Sequence, residues 1–222
     1  MTGSAKPVLL NSLKISEIFF SLQGETARAG LPTVFIRLTG CPLRCVWCDT
    51  EYAFSGGRNI TLPDVLAEVA RHGTRWVCVT GGEPLAQKAC LPLLTALCDA
   101  GYSVSLETSG ALDIGSVDPR VSRIVDLKAP GSGEFAKNRW ENLALLNARD
   151  ELKFVLKDRA DYEWARDTVR ERQLDALCPL LFSPVQGDLT PQTLADWILA
   201  DHLPVRFQVQ LHKLLWGNMR GK

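Results

Sequence analysis

The stretch Val34-Phe35-Ile36-Arg37-Leu38-Thr39-Gly40-Cys41-Pro42-Leu43-Arg44-Cys45-Val46-Trp47-Cys48 joins a short apolar run to three thiols set within eight residues. The run from Val34 to Leu38 is rich in β-branched residues and reads as a strand, and Gly40 opens a loop at its C-terminal end. Three thiolates at this spacing can wrap one face of an iron–sulfur cluster, whose protein ligands are predominantly cysteine sulfur. A fourth iron would then lack a protein ligand, and an open coordination position is what separates catalytic from structural metal sites. A structural zinc site would want a fourth ligand nearby, yet no Cys or His follows Cys48 until His72. A strained zinc loop and a set of core cysteines are the competing readings.

Outward from this loop, apolar runs alternate with helix-like segments, the signature of βα units around a mostly parallel sheet. Thr61 caps a helix carrying Val65, Leu66 and Val69 on one stripe, which Gly73 stops. Trp76 to Thr80 is expected as a strand ending in Gly81-Gly82, followed by a helix from Leu85 to Ala100. Further strands are expected near Ser103–Glu107, Arg123–Leu127, Leu152–Val155, Leu180–Phe182 and Val205–Val209. Helices are expected near Arg139–Leu146, Asp161–Arg172 and Pro191–Ala200. About seven strands are too few for a closed eight-fold barrel. The fold class is therefore read as α/β, an incomplete, TIM-like βα barrel. With no linker or low-complexity tract, residues 1–222 are read as one domain.

The 222 residues carry 25 Lys+Arg against 25 Asp+Glu, a zero formal charge that argues against a sequence-blind nucleic-acid binder. Pro7-Val8-Leu9-Leu10 is broken by Asn11, Ser12 and Lys14 before a signal-like core forms, and no apolar run is long enough to span a bilayer, so a soluble, unexported chain is expected. Of seven cysteines, Cys78, Cys90, Cys98 and Cys178 fall in apolar strand or helix patterns and read as core residues. His72 and His202 read as surface helix positions. Thr80-Gly81-Gly82-Glu83-Pro84 lies where βα loops build sites: its glycines permit close backbone approach, and Glu83 can accept from an ammonium group.

Taken together, the Cys-x-x-x-Cys-x-x-Cys loop and Gly81-Gly82-Glu83-Pro84 resemble the radical S-adenosylmethionine superfamily. Ser21-Leu22-Gln23-Gly24-Glu25, Phe35-Ile36-Arg37-Leu38, Trp47-Cys48-Asp49-Thr50, Glu107-Thr108-Ser109-Gly110 and Gln210-Leu211-His212-Lys213 extend the likeness over nearly the whole chain, to the 7-carboxy-7-deazaguanine synthase family within it. The resemblance implies a [4Fe-4S] cluster on Cys41, Cys45 and Cys48, with S-adenosylmethionine on its open iron. It implies that Trp47, Cys48, Asp49, Gly82, Glu83, Asp126, Leu127 and Lys128 contact that cofactor, and that Thr50 binds Mg2+. Leu22, Gln23, Gly24, Glu25, Arg37, Thr80 and His212 would hold the substrate.

The implied reaction is a carbon–nitrogen lyase step in 7-deazapurine (queuosine) biosynthesis. An adenosyl radical, rather than a side chain, abstracts hydrogen from 6-carboxy-5,6,7,8-tetrahydropterin, whose ring contracts with loss of ammonia. The resemblance also implies an electron donor such as flavodoxin, a homodimer and a cytoplasmic location, with no nucleic-acid or membrane partner. Val125-Asp126-Leu127-Lys128 departs from the Ser-Pro-Lys of many relatives, and residues 214–222 extend beyond His212-Lys213. Ser183-Pro184-Val185-Gln186 reads either as a cofactor contact or as a turn. A radical activase acting on a partner protein and a non-catalytic iron–sulfur electron carrier remain as alternatives.

Overall fold

A computed structural model describes residues 12–217 and 219–222; the Pro7–Leu10 stretch lies outside them. Its framework is one nine-stranded sheet in the order β3-β1-β2-β4-β5-β6-β7-β8-β9. The strands are β1 (Ser12–Leu22), β2 (Pro32–Leu38), β3 (Arg58–Thr61), β4 (Trp76–Gly81), β5 (Ser103–Thr108), β6 (Ser122–Asp126), β7 (Glu151–Leu156), β8 (Leu180–Pro184) and β9 (Arg206–Phe207). From β2 to β9 all neighbours are parallel, whereas β1 pairs antiparallel with both β2 and β3. The sheet does not close, so the expectation of an incomplete barrel holds.

The described residues form nine strands rather than about seven, because β1 and β3 escaped the pattern. β1 mixes Ser, Lys, Glu and aromatic residues and does not alternate cleanly, and β3 has four residues with no fully buried one.

The helices are α1 (Leu62–Ala70), α2 (Cys90–Asp99), α3 (Arg159–Arg172), α4 (Pro191–Ala200) and α5 (Leu211–Trp216). Thr61 caps α1 by accepting from the Asp64 amide. α2 begins at Cys90 rather than Leu85, since Pro84–Ala86 forms a 3₁₀ turn and Gln87 is extended. The segment expected as a helix near Arg139 is also 3₁₀, over Trp140–Leu145, and the last strand shortens to Arg206–Phe207.

Period-two alternation positions the site. Val77, Val79, Val104, Leu106, Leu152 and Phe154 turn to one face of the sheet, where they form a core with helix residues such as Val69, Leu94 and Ile198. Residues of opposite parity, among them Arg37, Thr80, Glu107, Asp126 and Lys153, turn to the other face and line a cavity. Cys90 and Cys178 sit buried in the core and Cys98 packs against it, but Cys78 shares the parity of Thr80 and is buried outside that cluster. His72 lies in the turn after α1, where it stacks on Phe20 at 5.5 Å, and His202 is exposed in the turn after α4 with φ 50°. Neither lies inside a helix as expected.

Candidate active site

The cavity has a volume of about 1100 Å³. At one end, all three cysteines of the loop are free thiols, half-buried, and face it. The loop is held from several sides: Val46 N–H donates to Ser132 at 3.0 Å, Leu43 is buried, and Glu83 N–H donates to the Gly40 carbonyl at 2.7 Å. A Cβ on Gly82 would come within 2.4 Å of the Gly40 oxygen and 2.7 Å of Cys41 Cβ, so the close approach of the two loops requires glycine there. Burial pushes the Cys41 and Cys45 thiols up. Among the described residues no three Cys, His, Asp or Glu side chains gather as a single metal ion would need.

Beside the thiols, Asp126 faces the cavity; Oδ2 pairs with Lys128 Nζ at 2.9 Å, while Oδ1 is buried without a partner among the described residues. An orphaned buried oxygen is costly, so it marks a place for a donor such as an ammonium or hydroxyl. This atom and the glycine cradle fit an amino-acid-bearing cofactor next to the cluster. Burial opposes the charge of Lys128, but Asp126 and Cys45 together more than offset it, and the ammonium stays protonated. Thr50 also lines the cavity, its hydroxyl 3.8 Å from Cys48 Sγ, and it makes no side-chain cap on the 3₁₀ turn Glu51–Ala53. The hydroxyl stays within hydrogen-bonding reach of the Cys48 sulfur and does not cap that turn.

At the other end, Glu107 of β5 collects donors from Gln23 Nε2 (3.2 Å) and Thr80 Oγ1 (2.9 Å). Lys153 of β7 forms an ion pair with Glu25, whose other oxygen accepts from Gln210 Nε2 at 2.7 Å. Although burial pushes Lys153 down, Glu25, Asp126 and Glu107 raise it well above the ordinary range. Arg37 donates through Nε to Glu17 at 2.8 Å, while its terminal nitrogens have no hydrogen-bond partner among the described residues. Phe19 and Phe35, stacked at 4.9 Å, form an apolar wall beside it. His212 lies against Gly24, where a Cβ would fall 2.3 Å from Nδ1, and Leu211 N–H donates to the Gly24 carbonyl. Burial lowers the His212 pKa, keeping the ring neutral near pH 7.

The radical SAM superfamily matches residues 35–171. A 7-carboxy-7-deazaguanine synthase from Chlorobaculum tepidum is 46% identical over 92% of this chain and 94% of its own length. One from Koribacter versatilis is 43% identical over 92% and 97%. The chain belongs to the 7-carboxy-7-deazaguanine synthase family. The crystal structure of QueE from Escherichia coli superposes with a TM-score of 0.75 at 25% identity, covering 95% of this chain and 100% of that one. These relatives do not favour the activase and electron-carrier alternatives.

In this synthase-family chain, most of the residues singled out in the sequence meet in one cavity: Leu22 to Glu25, Arg37, the three cysteines, Trp47, Asp49, Thr50, Thr80, Gly82, Asp126, Lys128 and His212. Val185 and Gln186 also line it. Two expected cofactor contacts do not reach it with their side chains. Leu127 follows Asp126, so strand parity turns it into the core, 2% exposed. Glu83 is wholly buried, its carboxylate occupied by Leu85 N–H, Thr108 hydroxyl and both the N–H and hydroxyl of Ser109. It ties the β4 loop to the end of β5 instead of facing a ligand. Asp49 is turned toward α5, where Lys213 Nζ lies 2.9 Å away; burial works against its charge, but Lys213 holds the carboxyl below its ordinary range.

Sequence reasoning missed Lys153, Glu17 and Tyr52, and quoted Glu107, Gln210 and Lys213 within motifs without assigning them a role. A lone lysine inside the apolar run Leu152-Lys153-Phe154 is a usable signal; Glu17 and Tyr52 carry none. The C-terminal segment, left without a role above, contributes Met219 to Lys222 to the lining, with the Arg220 guanidinium 4.0 Å over the Tyr52 ring.

Proposed function

We propose that this chain is a radical S-adenosylmethionine lyase that converts 6-carboxy-5,6,7,8-tetrahydropterin to 7-carboxy-7-deazaguanine with loss of ammonia. One observation carries the reading: a single cavity of about 1100 Å³ joins three free thiols at one end to Arg37, Gln23 and Glu25 at the other. That is room at the upper edge of ordinary ligand pockets, suited to a cofactor and a small substrate side by side. The cluster and S-adenosylmethionine, when bound, supply hydrogen-abstraction chemistry that no side chain provides.

The chain's own residues bind, orient and shield. Cys41, Cys45 and Cys48 would hold the cluster. Gly82, Asp126, Lys128, Trp47, Cys48 and Asp49 would surround S-adenosylmethionine, and Thr50 would place Mg2+ against the substrate. The free terminal nitrogens of Arg37 suit a carboxylate, which a planar guanidinium can engage through two parallel bonds. Gln23, Glu25, Thr80 and Glu107 offer a polar edge for the pterin ring, with the Leu22 and Gly24 backbone beside it. Neutral His212 can accept or donate one proton at the opposite rim. We take residues 1–222 to act as one domain in the cytoplasm, as a homodimer served by a flavodoxin-like electron donor. No described helix is long and apolar enough to cross a membrane.

The test is anaerobic reconstitution, then incubation with reductant, S-adenosylmethionine, Mg2+ and the carboxypterin. The deazaguanine product is expected. Cofactor cleavage without product would overturn the substrate assignment while leaving the superfamily intact. Thr50→Val is expected to blunt the response to Mg2+, and an unchanged response would remove the metal role.

A further inference from the structure

Glu17 is not among the residues facing the cavity, yet its place is built with care. β1 and β2 pair Ile15 with Leu38 and then Glu17 with Arg37, so Ser16 is the extra residue of a bulge. Without that bulge, Glu17 would share the parity of Ile15 and point into the apolar core; the extra residue turns it to the face of Arg37. There one carboxylate oxygen accepts from Arg37 Nε at 2.8 Å and from the Tyr52 hydroxyl at 2.7 Å. The rings of Phe19 and Tyr52 flank the guanidinium, at 5.7 and 5.9 Å from its carbon. The arrangement occupies Nε alone and leaves both terminal nitrogens available on the cavity side.

We propose that Glu17, backed by Tyr52, is the positioning residue that aims Arg37 at the substrate's carboxylate and so sets the preference for a carboxylated pterin. The inference rests on the reading of Arg37 given above. A long arginine side chain samples many rotamers when nothing holds it. A fixed Nε bond and two flanking rings remove that freedom before substrate arrives, so the two-pronged contact forms without further ordering.

The experiment uses anaerobically reconstituted enzyme and two pterins: the 6-carboxy substrate, and the tetrahydropterin without the carboxylate as a competitive inhibitor. Glu17→Gln keeps an acceptor but removes the charge, and is expected to raise KM for the carboxypterin by about tenfold, the size of reducing a hydrogen bond between charged groups to one with a neutral acceptor, with kcat falling far less. The inhibition constant of the uncarboxylated pterin should stay within about twofold. Tyr52→Phe should give the same selective loss on a smaller scale, and Glu17→Asp should restore part of it. In an Arg37→Met background, Glu17→Gln should add nothing, because the residue acts only through Arg37. If Glu17→Gln weakens both pterins alike, or its effect adds in full to that of Arg37→Met, the residue is structural and the proposal falls. If the unaltered enzyme does not prefer the carboxylated pterin, the reading of Arg37 fails, and this proposal with it. Should Glu17→Gln not fold, the selective loss in Tyr52→Phe decides, and its absence overturns the proposal.

Discussion

The two walls of the cavity are built in different ways. One is the parallel wall, where β4 to β6 deliver Thr80, Gly82, Glu107 and Asp126 from strand ends and the loops after them. The other combines β1, β2 and α5, where Gln23, Glu25, Arg37, Gln210 and His212 meet from opposite ends of the chain. On the parallel wall the supports are local in the fold and deeply buried, with Glu83 tying adjacent loops. On the other wall they are long-range pairs, such as Gln210 to Glu25 over 185 residues. The lesson is that the parallel wall is held by supports close to one another in the fold, while the other wall depends on the C-terminal helix being in place.

Substitutions can break or sharpen this contrast. Cys45→Ala should have the largest effect, abolishing cluster assembly; iron content and the visible spectrum after reconstitution check it, and a full four-iron cluster would remove the ligand assignment. Glu83→Ala comes next. It strands the Leu85 and Ser109 amides and two hydroxyls in a fully buried spot, and stability should fall by about 3 kcal/mol or more in denaturant unfolding. An unchanged midpoint would mean the parallel wall is not held as described.

The two glycines offer a paired test. Gly82→Ala drives a Cβ into backbone and Cys41, and should cost about 2 kcal/mol and impair S-adenosylmethionine cleavage. Gly24→Ala meets only the His212 ring, which can swing away, so it should cost about 1 kcal/mol or less and raise KM for the pterin instead. Equal effects on both ligands from both variants would erase the distinction between the walls.

The smallest effect concerns pH. Burial lowers the His212 pKa from 6.5 in the folded chain, so above that value both folded and unfolded forms are neutral and the residue contributes nothing. As pH falls below 6.5, the unfolded chain takes up the proton first and stability declines until the folded pKa is passed. His212→Gln should therefore run parallel to the unaltered protein above pH 6.5 and lose less stability below it; parallel curves throughout would show that the ring is not buried against Gly24.

Much of the parallel wall, and the thiol loop after β2, is legible in the primary structure. An apolar strand followed by a glycine and closely spaced thiols, or by Gly81-Gly82-Glu83, announces both a strand end and the loop chemistry on it. The role of Glu83 was misplaced because a motif shows that a carboxylate is near a site, not which donors will occupy it. Leu127 was misplaced because its neighbours Asp126 and Lys128 drew it into the same assignment, although alternation alone sends it to the other face. β1 carries both faces of the antiparallel wall, but its bulge at Ser16 breaks the period that would have revealed it.

By itself, then, the sequence determined the α/β class, the thiol loop and most core-facing residues, which follow from local spacing and from strand and helix periodicity, while the family likeness rests on the resemblance of its motifs. The tertiary structure alone decided that Glu25 meets Lys153 and Gln210, that Lys213 draws Asp49 to the rim, and that Glu17 holds Arg37 with its terminal nitrogens open. Those pairings depend on the order of strands in the sheet, a bulge, and the return of the C-terminal helix over the cavity. They are properties of how distant segments pack, and local spacing carries no record of them.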